Sequence, residues 1–135
     1  MSAVVLPTAS SRLLLDTHVF VWWVDGRHER LSRPAREAIA AAPAIHVSLA
    51  SAWELSVKVA LAKLRVGVPF GRALAMNDFA PLPIVLEHIE RVASLPMHHR
   101  DPFDRMLVAQ AQHEGLTLVT HDRPLGAYDV PVLWA

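Results

Sequence analysis

The chain has 135 residues, 53% of them hydrophobic, with thirteen Lys and Arg against thirteen Asp and Glu, eight His and no Cys. That length supports one domain with a proper core, and the apolar share excludes general disorder. Without cysteine there are no disulfides, thiolate zinc sites or cysteine nucleophiles, and a balanced charge supplies no global field to draw in nucleic acid.

In chain order, residues 1–11 read as a loose tail of small residues, leaving 12–135 as a single domain. RLLLD, 12–16, is a short apolar run ending on an acid, the pattern of a strand covered on both faces. THVFVWWVDG follows as a helix, capped by Asp16 or Thr17 and ending near Asp25-Gly26. Ser32 caps a second helix over 32–42, with Pro34 in its first turn. AIHVS, 44–48, is a second strand, and Ser48 or Ser51 opens a long helix running to about Leu64. A small helix over 70–78 and a strand at PLPIV, 81–85, come next. VLEHIERVASL, 85–95, is amphipathic, with Leu86, Ile89, Val92 and Ala93 on one face. Pro102 opens a helix to about Glu114, closed by Gly115. LTLVT, 116–120, is the clearest strand, and VPVLW a weak last one.

Alternating strands and helices predict an α/β domain with a mostly parallel sheet and right-handed crossovers. No stretch reaches the roughly 18–20 apolar residues that span a bilayer. The start lacks the basic segment and apolar run of a signal peptide, so no membrane association and a cytoplasmic location are expected. The five glycines form neither a dinucleotide fingerprint nor a phosphate-binding loop.

In a parallel sheet, ligands sit beyond the carboxyl ends of the strands. Asp16, Glu54, Asp104 and Asp122 all fall at such ends or early in the helices that follow. Projected to one edge, they form a carboxylate cluster whose repulsion calls for a cation, and oxygen donors suit Mg2+ or Mn2+. Each acid also has a plainer role. Asp16 caps a helix, Glu54 pairs with Lys58 at i+4, Asp104 suits a helix dipole, and Asp122 suits a turn. Asp101 is the natural cap of the helix at Pro102, with a supporting role at the site as its second reading. His18, His98, His99 and His121 are alternative transition-metal ligands, but none has the i, i+4 spacing of a helical zinc pair. Trp22-Trp23 reads as core and partner-facing surface.

Four ordered segments, LLLDTH (13–18), SLASAWELSVK (48–58), DPFDRMLVAQA (101–111) and LTLVTHD (116–122), resemble the PIN-domain ribonucleases, and among them the VapC-type toxins of toxin–antitoxin pairs. The resemblance runs from Arg12 to near the C-terminus. It implies a three-layer α/β/α sandwich and a Mg2+- or Mn2+-dependent endoribonuclease, with Asp16, Glu54, Asp104 and Asp122 as catalytic and metal-binding acids. Thr120 is the associated hydroxyl, and Asp101, Arg100 and Arg105 support the site or contact substrate. Arg105 has two readings, a phosphate contact or a bidentate pair with a carboxylate. Hydrolysis by water in line at phosphorus leaves the phosphate on the downstream fragment. The resemblance further implies an RNA substrate, a cognate antitoxin and a homodimer. The helix around Trp22-Trp23 and that over 52–64, with Lys58 and Lys63, are the expected contact surfaces. Two departures are the long segment before Asp16 and the neutral charge.

Two other classes compete. One is a silent relative that binds RNA or protein without cutting, disfavoured by the complete acid set. The other is a phosphohydrolase of small esters, for which Asp16-Thr17-His18 lacks the second acid of a DxD arrangement.

Overall fold

The computed structural model describes residues 12–61 and 67–135; the tail, Lys63 and the expected helix end at Leu64 lie outside them. Five strands, β1 (Arg12–Leu15), β2 (Ala44–Ser48), β3 (Ala80–Leu82), β4 (Thr117–Thr120) and β5 (Val132–Trp134), form one sheet in the order β3-β2-β1-β4-β5. Every pairing is parallel. Six helices, α1 (Thr17–Val24), α2 (Arg33–Ala41), α3 (Leu49–Ala60), α4 (Phe70–Met76), α5 (Leu86–Ser94) and α6 (Pro102–Glu114), alternate with the strands. Short 3-10 turns at His28–Arg30 and Arg123–Ala127 were not anticipated.

Strand side chains alternate between two cores. Leu13, Leu15, Val47 and Val119 pack with Phe20 of α1, Ile39 of α2, Leu55 of α3 and Leu74 of α4. Leu14, Leu118 and Val132 point the other way, against Leu107, Val108 and Ala111 of α6. The result is the three-layer α/β/α sandwich that was expected. No helix among the described residues is long and apolar enough to cross a membrane.

Local chemistry sets the helix starts. Asp16, Ser32, Ser48 and Asp101 each accept a hydrogen bond from a backbone N–H two or three residues on, filling donors that a helix start leaves open. Gly115 closes α6 at φ +69°, a left-handed conformation that costs glycine little. Both tryptophans of α1 are half-buried, and Trp23 stacks on His28 at 4.3 Å between ring centroids.

Helix α5 is amphipathic as expected, but packs in an unusual way. Its apolar face looks outward, with Leu86 64% and Ile89 52% exposed, while His88 is the residue it buries. His88 is fully satisfied there: Nδ1 accepts from Val85 N–H at 3.1 Å, so Nε2 carries the proton it donates to Glu114 of α6 at 2.8 Å. A polar side chain with both ring nitrogens paired is buried at little cost.

Candidate active site

The strand order creates a place for a site. From β1 the chain winds outward to β2 and β3, then returns to lay β4 on the other side of β1. The crevice at such a reversal opens beyond the carboxyl ends of β1 and β4. Asp16 directly follows β1, and Asp122 lies two residues past β4.

Asp16 is buried, and both carboxylate oxygens are held. Oδ1 accepts from Val19 N–H at 2.9 Å, and Oδ2 accepts a short hydrogen bond from the fully buried Thr120 hydroxyl. Burial pushes its pKa up, opposed by the bonds from Thr120 and Val19. Thr120 Oγ1 also accepts from Asp122 N–H at 3.0 Å, so one hydroxyl ties two acids together.

Glu54, in the second turn of α3, is buried too. Its Oε1 lies 2.6 Å from Thr17 Oγ1, and its Oε2 2.8 Å from Lys58 Nζ. Thr17 Oγ1 also meets Ser51 Oγ at 2.9 Å. A hydroxyl has one proton, so Thr17 gives it to the carboxylate and accepts from Ser51. The i+4 pair with Lys58 therefore exists, but as a partly buried brace on a site acid.

Asp104 stands in the first turn of α6, where helix N–H groups favour negative charge. Its pKa is nonetheless pushed up to about 7, by burial first, then by Asp101 and Asp16, with a smaller push from Glu54. Asp101 caps α6, taking the N–H groups of Phe103 and Asp104 at 2.8 and 3.2 Å. Asp122 accepts from His99 Nε2 at 2.7 Å, and that nitrogen lies 3.4 Å from Asp104 Oδ2. Ligand atoms of His99, Asp104 and Asp122 all fall within 4.8 Å of one another. The four acids singled out from sequence thus gather at one edge, with Asp101 beside them.

Among the basic residues of HHRDPFDR, Arg105 departs from expectation. Arg105 is buried, and neither the phosphate contact nor the carboxylate pair holds. Its guanidinium donates to the carbonyls of Val92, Leu95 and Pro96 at 3.0, 3.3 and 2.9 Å and to the Tyr128 hydroxyl at 3.1 Å. The carbonyls of Leu95 and Pro96 follow the end of α5 and that of Val92 lies in its last turn, so the planar five-donor group collects carbonyls where the helix ends. Arg100 is exposed beside Asp101. His98 packs against Tyr128 edge-to-face, and His18 meets His121 edge-to-face with ring centroids 5.6 Å apart. Of the four histidines weighed as metal ligands, His99 is the one in contact with two acids.

Sequence reasoning missed Thr17 and Ser51. Their signal is a pair of hydroxyls interrupting otherwise apolar helix faces. Rings flank the acids as well: Trp53, 63% exposed, meets Phe103 edge-to-face at 5.0 Å, and Trp22 meets His121 at 4.8 Å.

The donor set is suited to a hard divalent cation. A carboxyl such as Asp104, raised by burial and by its acidic neighbours, accepts a multiply charged ion readily, and oxygen donors favour Mg2+ or Mn2+ over softer metals.

Comparison with known proteins finds relatives of the chain and of its fold. The PIN domain model matches residues 13–130. Ribonuclease VapC22 of Mycobacterium tuberculosis (strain ATCC 25618 / H37Rv) is 29% identical over 130 residues, covering 88% of this chain and 93% of its own. A toxin–antitoxin complex from Klebsiella pneumoniae has a chain of similar fold, with TM-score 0.63, 22% identity, and 90% and 95% of the two chains covered. VapBC2 from Rickettsia felis, bound to a DNA fragment from its promoter, is similar at TM-score 0.65 and 14% identity, with 91% of this chain and 98% of that chain covered.

Proposed function

The chain belongs to the PIN domain family, and on that premise we propose that it is a divalent-metal-dependent endoribonuclease of the VapC type, restrained by an antitoxin. The observation that carries this reading is the gathering of buried and half-buried acids at one sheet edge, Asp16 joined to Asp122 through Thr120 and Asp122 to Asp104 through His99, where burial first and the neighbouring acids next push the Asp104 carboxyl up to about 7. Such crowding is tolerated where a cation supplies the missing charge.

Asp16, Glu54, Asp104 and Asp122 would hold the ion. When bound, a Mg2+ or Mn2+ ion would neutralise charge building on the phosphate and make water a better nucleophile. The protein's own contribution is placement. Thr120 and Val19 fix both oxygens of Asp16, and Thr17 and Lys58 fix those of Glu54, so the acids are aligned before substrate arrives. The exposed Arg100 is a phosphate contact, and the rings of Trp53 and His121 are surfaces on which unpaired bases stack. Hydrolysis at phosphorus leaves the phosphate on the downstream fragment.

An apolar groove of about 710 Å³ runs between α1, α3 and α4, lined by Phe20, Val24, Leu55, Val59 and Phe70 among others. None of the four acids lines it. Its size and apolar walls suit an amphipathic antitoxin segment. The experiment that tests the enzymatic reading is cleavage of a mixed tRNA and ribosomal RNA pool with magnesium, manganese or chelator, beside Asp104→Asn. Discrete fragments that need the metal and vanish in the variant are expected. Retention of RNA without any cutting sinks the enzyme and favours a binding module.

A further inference from the structure

We infer that His99 is a positioning residue of the acid site, whose Nε2–H holds Asp122 and Asp104 in the arrangement that receives the cation; this rests on the metal-site reading above. His99 Nδ1 lies 3.0 Å from the backbone N–H of Asp101 and must accept from it. A ring whose Nδ1 accepts carries its proton on Nε2. That proton points at Asp122 Oδ2, 2.7 Å away, with Asp104 Oδ2 at 3.4 Å. A protonated Nε2 has no lone pair to offer a metal, so His99 stands beside the ligands and is not one of them.

The ring itself is held from behind. His99 N–H donates to the Tyr128 hydroxyl at 3.0 Å, and Arg105 Nη1 reaches both that hydroxyl, at 3.1 Å, and the His99 carbonyl, at 3.5 Å. The buried guanidinium of the DPFDR segment thus anchors the loop carrying His99, and Asp101 of the same segment sets its tautomer. Asp122 and Asp104 are the two acids that lack other such partners among the described residues. Asp16 has Val19 and Thr120, and Glu54 has Thr17 and Lys58. Among the described residues, His99 is the donor to the Asp122 carboxylate. Asp122 also sits past the strand end with about a third of its side chain exposed, free to turn if released.

The test compares wild type with His99→Gln and His99→Asn by Mn2+ titration calorimetry, with thermal unfolding as the folding control. Glutamine carries an amide N–H to about the ε position and restores the donor. Asparagine reaches the δ position, keeping an acceptor for Asp101 N–H but no donor to the acids. The Asn form is expected to lose about 10–100-fold in Mn2+ affinity, as outer-shell changes do, with Gln close to wild type. Long-range 15N–1H NMR of the wild-type imidazole is expected to show the Nε2–H tautomer. Equal affinity in all three proteins, rescue by Asn in place of Gln, or an Nδ1–H tautomer overturns the role. A wild type that takes up no Mn2+ removes the metal site and this role with it.

Discussion

At Asp104 two demands conflict: the fold buries a carboxyl among carboxylates, and the proposed metal site needs it ionised. Its pKa rises from 3.8 to about 7. The folded value lies above the unfolded one, so the stabilising form is the protonated one. That stabilisation is complete below about pH 4 and is lost as pH climbs to 7. In cation-free buffer at pH 8, Asp104→Asn is therefore expected to be more stable than wild type, by on the order of 2–4 kcal/mol, with the gap closing toward pH 4. Thermal melts across that range check it, and a flat difference would contradict the crowding. The same proton competes with the cation, so Mn2+ affinity is expected to fall about tenfold per pH unit below 7. Titration calorimetry at three pH values reads this directly.

Among the elements, α5 is held by a polar contact. His88 joins Val85 at the helix start to Glu114 at the end of α6 and is almost fully buried. Replacing His88 with Ala removes the cap and leaves Val85 N–H unpaired, an expected loss of about 2 kcal/mol or more in urea unfolding. Leu86→Gln, on the exposed apolar face, is expected to change stability by less than about 0.5 kcal/mol. A reversed order would mean that Leu86, not His88, faces the core. Tyr128 matters similarly. Its buried hydroxyl links Arg105 to His99 N–H, and Tyr128→Phe is expected to cost about 1–3 kcal/mol by leaving both donors short of a partner.

For the whole molecule, the reversal of strand order puts the acids at one edge, while the apolar groove lies between α1, α3 and α4. On the proposed reading, cutting and restraint use different surfaces. Val59→Asp, which sets a charge on the groove wall, is expected to weaken antitoxin capture at least tenfold by desolvating an unpaired carboxylate. Asp104→Asn is expected to keep capture while losing cleavage. Co-purification of each variant with a co-expressed antitoxin measures both, and loss of capture in the Asn form alone would move the contact to the acids.

Much was legible in the chain itself. Strand runs, Ser32 and Asp101 as caps, Gly115 as a stop and the four acids at element ends all follow from local chemistry: burial period, backbone donors at helix starts, and permitted φ. What needed the tertiary structure was every fact that joins distant residues. Strand order decided that Asp16 and Asp122 share a crevice through Thr120. Packing decided that Arg105 faces inward to loop carbonyls and that α5 buries a histidine, not its leucine. The direction of His99 depends on a backbone N–H two residues on and a hydroxyl 29 positions away. Periodicity and capping are written within a few residues, whereas a side chain's partner is chosen by what the folded chain brings within hydrogen-bond reach.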